Sequence, residues 1–379
     1  MRFSHILLKN WRNFGSVDVS LQNRAFLVGP NASGKSNFLG AFRFLRDIVT
    51  PGGGFQKSVT DRGGVSRIRN LAARRYSDIA VEVALQEKET ALWRYRIAFA
   101  QDRQRNPVLK QEKVWRNDKL ILDRPNAEDR TDEARLRQTY LEQVNANREF
   151  RDIADLFASV HYYHLVPQLV RDPSRWTGRR ADPYGEDFLE QIAGTNMNTQ
   201  EARLRRIEGV LKVAVPQLSE LNLRRDERGV PHLYGNYENW RPQGAWQTEA
   251  DFSDGTLRLM GLLWSLLDGS GPILLEEPEL SLHSEIVRHI PQMMLRAQRG
   301  LRRPIRQVIL STHSSDLLRD EGIAADEVLL VLPSNKGGRI EVGADIAEVR
   351  QLLEAGLPMA EVVIPRTRPT NAAHLALSL

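Results

Sequence analysis

The chain has 379 residues, of which 41% are hydrophobic and 27% charged, a composition typical of a globular protein with a sizeable apolar core. It contains no cysteine, which excludes disulfides and cysteine-ligated zinc, and no apolar run approaches the ~20 residues of a membrane-spanning helix. The net charge of +5 permits nucleic-acid binding without requiring it. We see no signal-peptide pattern at the N-terminus and expect a cytoplasmic protein.

The first third of the chain is predicted to be rich in strands. A strand pair over 4–9 and 17–21 precedes a short buried strand over 25–29. A helix follows from Lys35, because apolar residues recur there at helical spacing. Three later runs alternate polar and apolar residues, which is typical of antiparallel strands with one solvated face; they cover 78–86, 93–101 and 108–117.

The rest of the chain is predicted to mix helices and strands. Residues 123–150 are charged and helix-prone but carry no sustained apolar heptad, which favours an exposed helical insertion over a coiled coil. The elements that follow are a strand within 157–168, helices over 186–214, strands over 219–249, a helix over 256–267, a strand over 272–275, a helix over 283–298, a strand over 307–311, a strand pair over 327–342 and a helix over 344–355.

The first chemical motif lies between the strand over 25–29 and the helix after it. Gly29-Pro30-Asn31-Ala32-Ser33-Gly34-Lys35-Ser36 matches the phosphate-binding pattern G-x-x-x-x-G-K-S. Glycines let backbone N–H groups turn toward phosphate oxygens, and the helix N-terminus adds the positive end of its dipole. Lys35 is expected to reach the β- and γ-phosphates, and the Ser36 hydroxyl to ligate Mg²⁺.

The second motif is "PILLEEPELSLH" (272–283), where two acids end an apolar strand. Such a Walker B segment would let Glu276 hold Mg²⁺, directly or through water. Glu277 would orient or deprotonate the attacking water. The first acid is usually Asp, so Glu276 departs from the common pattern. The alternative interpretation is an acidic turn after a strand.

Two further motifs are weaker when taken alone. Ser253 and Gly255 in "DFSDGTLRL" stand at a predicted helix N-terminus, which is an anion-binding arrangement, but Ser-Asp-Gly is also an ordinary N-cap. His313 in "QVILSTHSSDLL" (307–318) follows a predicted strand, and a lone histidine there is usually structural.

In this order, "GPNASGKSN", "SDGT", "EEPELSLH" and "STHS" resemble the ABC-type ATPase heads of the RecF, SMC and OLD-like group. The resemblance covers nearly the whole chain and is closest to bacterial AAA-family ATPases encoded in defence or repair loci. It implies an α/β P-loop NTPase fold with a mixed central sheet, an antiparallel β subdomain and a helical insertion. The implied ligands are ATP and Mg²⁺, bound at residues 29–36 and the adjoining Asn37 and enclosed by a homodimer.

The resemblance also implies roles for single residues. Ser253 and Gly255 would contact the γ-phosphate held by another subunit, and His313 would sense that phosphate. Arg12 in "NWRNF" matches a basic residue near the phosphates, and Gln168 in "LVPQL" is a candidate Q-loop glutamine at Mg²⁺. A surface arginine and a plain loop glutamine remain the alternatives. Two residues after Walker B fall where such heads meet in the dimer; they are Ser281 and His283.

We expect three parts: ATPase lobe I (1–122), a helical insertion with return to the head (123–250) and ATPase lobe II (251–379). Transporter ATPases usually place a signature nearer to "LSGGQ" much closer to the P-loop, which makes them the less favoured alternative. The coiled coil of an SMC protein is missing, and no D-x-D of a TOPRIM nuclease domain follows His313. The sequence therefore resembles the ATPase without its own nuclease.

Two functions stay open at this point. One is a DNA-binding ATPase of genome maintenance or phage defence, suggested by the arginine-rich segments 62–75 and 171–180. The other is a switch that holds or releases a separately encoded effector, such as a nuclease, with 123–150 as the docking surface. Solvated arginines on a large surface would explain the charge equally well.

Overall fold

The computed structural model describes residues 1–73, 78–87, 90–176, 178, 182–238, 244–298, 306–334 and 337–368. These residues fall into two compact units. Unit 1 lies within Met1–Val160, Arg306–Ser315 and Ile323–Leu379, and unit 2 within His161–Ile305 and Asp316–Gly322. The three functional parts expected from the sequence, 1–122, 123–250 and 251–379, stay a prediction.

The strands are β1 (Arg2–Trp11), β2 (Phe14–Ser20), β3 (Arg24–Val28), β4 (Ile79–Glu87), β5 (Thr90–Gln101), β6 (Pro107–Arg116), β7 (Lys119–Arg124), β8 (His161–Tyr163), β9 (Leu218–Arg225), β10 (Pro231–Tyr237), β11 (Ala245–Thr248), β12 (Ile273–Glu276), β13 (Val308–Thr312), β14 (Val328–Ser334) and β15 (Gly337–Val342). The helices are α1 (Lys35–Val49), α2 (Phe55–Thr60), α3 (Val65–Ile68), α4 (Ala127–Thr131), α5 (Arg151–Ala158), α6 (Pro167–Val170), α7 (Phe188–Ala193), α8 (Met197–Ala214), α9 (Asp254–Leu267), α10 (Ser284–Val287), α11 (Ile290–Gln298), α12 (Ala347–Glu354) and α13 (Met359–Val363).

Unit 1 is built on a mixed sheet. Its strands run in the order β7-β6-β5-β4-β1-β2-β15-β14-β3-β13. The side from β7 to β2 is antiparallel, which confirms the three alternating strands predicted there. On the other side, β3 pairs in parallel with both β14 and β13. Strands β3 and β13 are almost wholly buried, as their continuous apolar runs predict.

Helix α1 follows β3 and buries one apolar face. Phe38, Leu39, Phe42 and Leu45 are fully buried, which confirms the helical periodicity in the sequence. The helix therefore has a fixed position at the carboxyl end of β3, where the phosphate-binding motif lies.

The segment 123–150 differs from the expected exposed helix. It contains α4 and two short 3-10 helices, Glu133–Arg137 and Arg148–Phe150, joined by turns. The side chain of Arg124 is fully buried and bonds the buried carboxylates of Glu112 (2.8 Å) and Asp129 (2.8 Å). These tertiary contacts outweigh the helix propensity of the charged sequence, because separating the buried charges would be costly.

Unit 2 contains the parallel pair β8 and β12 and an antiparallel sheet of β9, β10 and β11. The inner face of that sheet and helices α7, α8 and α9 share one core, in which Leu211, Leu233, Leu257 and Trp264 are fully buried. This packing fixes the start of α9. Among the described residues, no helix combines the length and apolarity that a membrane span requires.

Candidate nucleotide-binding site

The phosphate-binding loop joins β3 to α1 in unit 1 and is pressed against its neighbours. A Cβ atom on Gly29 would lie 2.3 Å from the carbonyl oxygen of Val331 in β14. Gly34 has φ +114°, and a Cβ atom there would lie 2.4 Å from the Asn13 amide nitrogen. Both positions therefore require glycine, because a side chain would collide with β14 at Gly29 and would strain the backbone at Gly34.

Lys35 is buried inside the loop that it follows. Its side-chain nitrogen donates to the carbonyl oxygens of Gly29 (2.8 Å) and Pro30 (3.2 Å), and the residue is only 6% exposed. The Ser33 hydroxyl oxygen is also buried and has no hydrogen-bond partner within the described chain. A buried ammonium group, a spare hydroxyl and a helix N-terminus together form a cradle that fits phosphate oxygens.

Asn13, which the sequence reasoning missed, ties this loop to the turn between β1 and β2. Its amide nitrogen donates to the Ser33 carbonyl oxygen (2.7 Å), and its amide oxygen accepts from Asn37 (2.8 Å). The indole of Trp11 also donates to the Asn37 carbonyl oxygen (2.8 Å). The available signal was the predicted turn in "NWRNF" between the first two strands, which contains the polar residues Arg12 and Asn13.

Arg12 lies next to Asn13 in the chain, but its guanidinium contacts a different segment. Its guanidinium donates to the carbonyl oxygen of Arg67 (3.0 Å), and its own backbone has φ +53°. Burial lowers the pKa of Arg12, and the charge of Arg67 lowers it further. The expected contact of Arg12 with phosphate stays a prediction.

His313 belongs to the same unit as the P-loop. Strand β13 pairs in parallel with β3, and Thr312 stands opposite Val28. His313 and Gly29 therefore follow neighbouring strands at the same edge of the sheet. The His313 side chain is exposed, as a residue that contacts a ligand would be.

The two Walker B acids lie in unit 2, at the end of β12. The hydroxyl of Tyr162 donates to the Glu276 carboxylate, and Nδ1 of His164 lies 3.2 Å from the Glu276 carbonyl oxygen. Glu277 adopts φ +44°, which is unfavourable for a residue with a side chain and is typical of functional sites. Sequence reasoning missed Tyr162 and His164, whose only signal was their position in and just after strand β8, which pairs with β12.

The signature residues begin helix α9 in unit 2. The Ser253 hydroxyl accepts from the backbone N–H of Thr256 (3.1 Å), so Ser253 is an N-cap, as the alternative interpretation expected. A Cβ atom on Gly255 would lie 2.6 Å from the Ser281 carbonyl oxygen. Glycine is needed here because the helix start packs on the turn after Walker B. A capping role and a phosphate-contacting role are compatible, since Ser253 remains exposed.

Gln168 is placed at the signature loop of unit 2. Its amide nitrogen lies 3.3 Å from the Asp254 carboxylate, which also accepts from Arg171 (2.5 Å). Its predicted contact with Mg²⁺ stays a prediction. Of the residues after Walker B, His283 accepts from the N–H of Glu285 (3.2 Å) and caps α10.

Arg258 of α9 interacts electrostatically with an acid of the signature loop, Asp254, and with an acid of the Walker B segment, Glu277. Burial lowers its pKa, and the carboxylates of Asp254 and Glu277 act in the opposite direction. With Glu276 and Tyr163 it lines a cavity of about 20 Å³. Such a volume is enough for a single water molecule.

The two basic segments are only partly described, since 74–75, 177 and 179–180 lie outside the described residues. Two of their arginines form ion pairs within the chain. Arg62 pairs with Asp47 (2.6 Å), and Arg171 pairs with Asp254. Part of the positive charge that suggested DNA binding is thus compensated within the protein.

The fold and the P-loop define an ATPase head of the ABC and SMC type, and comparison with known proteins supports this class. A family described as "AAA domain, putative AbiEii toxin, Type IV TA system" matches residues 24–320. Because the match spans well over half of the chain, the protein belongs to this family.

A solved SMC head bound to the C-winged helix domain of ScpA has a similar fold, with a TM-score of 0.56 and 14% sequence identity over 90% of this chain and 98% of that chain. An Smc head with an extended coiled coil, from Pyrococcus furiosus, gives a TM-score of 0.50 at 11% identity over 93% and 99%. At these identities the likeness shows the fold alone, and it confirms the mixed α/β ATPase-head architecture.

A curated relative, Endonuclease GajA of Bacillus cereus (strain VD045), is 48% identical over 58 residues. That stretch is 15% of this chain and 10% of GajA, so this chain matches only a small part of GajA.

Proposed function

We propose that this protein binds and hydrolyses ATP and closes as a homodimer around it. The observation that carries the proposal is the P-loop of unit 1, in which Lys35 is buried against the loop carbonyls and two glycines admit close backbone packing. Family membership and the SMC-head fold support the same activity.

The residues fit ATP with Mg²⁺. Lys35 and the backbone N–H groups of residues 29–36 would hold the phosphates. Ser36 and Glu276 would hold Mg²⁺, which when bound neutralises phosphate charge. Glu277 would orient or deprotonate the attacking water, and His313 would sense the γ-phosphate. The motif, rather than a measured distance, assigns Glu276 and Glu277 to the nucleotide of the P-loop.

In the proposed dimer, Ser253 and Gly255 of one copy cover the nucleotide held by the other. This role is supported by the position of Ser253, which is exposed at the N-terminus of the 14-residue helix α9. The γ-phosphate then links two subunits, and its hydrolysis removes the link. ATP would thus control an association equilibrium between two states.

For the cellular role, we favour a cytoplasmic ATPase in anti-phage defence or DNA maintenance. The short match to a protein named an endonuclease supports a DNA-related context. DNA binding and control of a separately encoded effector remain the two forms of this proposal. If DNA is a ligand, duplex DNA should bind below ~0.1 M salt, with affinity that falls steeply as salt rises. Co-purification of an effector that is lost in Lys35→Ala would favour the second form.

Steady-state hydrolysis tests the enzymatic part. Wild-type protein should release phosphate from ATP, while Lys35→Ala should lose ATP affinity and Glu277→Gln should keep affinity but lose turnover. Glu285→Gln is a matched control, because Glu285 is an exposed glutamate of α10 that pairs with Arg288. A Glu277→Gln enzyme with wild-type turnover would refute the assignment of the water-activating carboxylate.

A further inference from the structure

The signature loop carries an acidic residue where an anion is expected to bind. Asp254 stands between Ser253 and Gly255, the two residues proposed to contact the γ-phosphate. Consecutive Cα atoms are about 3.8 Å apart, so a phosphate on Ser253 and Gly255 would lie well within a Debye length of the Asp254 carboxylate. Two negative charges at that separation repel each other.

The structure shows what offsets this charge. The Arg171 guanidinium donates to the Asp254 carboxylate (2.5 Å) and to the carbonyl oxygen of Phe252 (2.7 Å). It therefore contacts the residues on both sides of Ser253. Gln168 adds an amide contact at 3.3 Å, and Arg258 is a second cation whose charge interacts with that of Asp254.

We propose that Arg171 is a positioning residue that neutralises Asp254, so that the signature loop of one copy can accept the γ-phosphate of the other. Arg171 contacts Asp254 directly, whereas the charge of Arg258 acts on both Asp254 and Glu277. The inference deepens the proposed function and rests on it.

This role differs from that of an ordinary surface ion pair. Arg171 and Asp254 have side-chain exposures of 26% and 38%, and a pair that exposed adds little to folding stability. Its effect should appear instead when an anion approaches the loop. Removing Arg171 should therefore raise the dissociation constant of the ATP-bound dimer while leaving the melting temperature almost unchanged.

The test uses the Glu277→Gln protein, in which the ATP-bound dimer should accumulate. Dimer dissociation constants are measured with ATP by analytical ultracentrifugation for that protein and for versions that also carry Arg171→Ala, Arg171→Gln, Asp254→Asn, or Arg171→Ala with Asp254→Asn. Arg225→Ala is the matched control, since Arg225 forms another exposed ion pair of unit 2, with Glu190 (3.1 Å). Thermal unfolding verifies that each variant is folded, and binding of a fluorescent ATP analogue verifies that its P-loop is intact.

We expect Arg171→Ala and Arg171→Gln to weaken the dimer at least about ten-fold, and the loss to shrink as salt rises from ~0.05 to ~0.5 M. Asp254→Asn should restore dimerisation of the Arg171→Ala protein, which a purely structural clamp on Phe252 would not allow. Absence of rescue, or a loss equal to that of Arg225→Ala, overturns the inference while leaving the ATPase dimer intact. If the Glu277→Gln protein binds ATP but never dimerises, the proposed function itself fails.

Discussion

Asn13→Ala should weaken nucleotide binding without unfolding the protein. The substitution removes two hydrogen bonds, from the Asn13 amide to the Ser33 carbonyl oxygen (2.7 Å) and from Asn37 to the Asn13 amide (2.8 Å). At about 0.5–1.5 kcal/mol each, these bonds contribute about 1–3 kcal/mol to the loop conformation. If binding must restore that conformation, the dissociation constant for ATP should rise by about five- to 150-fold.

The assay is titration with a fluorescent ATP analogue, together with thermal unfolding of the same samples. Asn106→Ala is the control, because Asn106 belongs to the same unit but its amide nitrogen donates to the Asp102 carboxylate (3.2 Å) rather than to the loop. Its ATP affinity should stay within about two-fold of wild type. Wild-type affinity in Asn13→Ala, with unchanged stability, would refute the idea that Asn13 holds the P-loop in its binding conformation.

Two further predictions concern the polar network of unit 1. Arg124→Leu removes the buried cation that bonds Glu112 and Asp129, although Arg135 stays 3.5 Å from Asp129. It should cost about 3–5 kcal/mol of unfolding free energy, measured by urea denaturation, and a loss under ~1 kcal/mol would contradict the burial of the triad. Burial raises the pKa of Glu142 to about 7, so its contribution to stability is complete below about pH 4.5 and is lost as pH rises through about 7. That loss is at most about 3 kcal/mol, and Glu142→Gln should flatten the stability–pH curve between pH 5 and 8; an unchanged slope would contradict it.

Much of the fold was predictable because its signals are local. The glycine-rich turn, the alternating strands and the periodic face of α1 each lie within a short stretch, and all three are confirmed. The Walker B strand was predictable in the same way, since an apolar run ends in acids at Glu276.

The contacts that organise the site were not predictable, because they join residues far apart in sequence. Arg171 and Asp254 are 83 positions apart, and Tyr162 and Glu276 are 114 apart. The segment 123–150 was mispredicted for the same reason. Its charged residues favour a helix locally, yet the backbone N–H groups of Tyr140 and Leu141 donate to Glu112, which lies 28 and 29 positions away. Tertiary contacts outweigh local helix propensity in this segment.

The most direct test of the central claim is the molecular mass of the Glu277→Gln protein in solution, with and without ATP and Mg²⁺. The proposed function predicts a monomer without nucleotide and a dimer with ATP, which a second substitution, Lys35→Ala, abolishes. A Glu277→Gln protein that binds ATP at the P-loop and yet stays monomeric at micromolar concentration would contradict the claim that two copies close around the nucleotide.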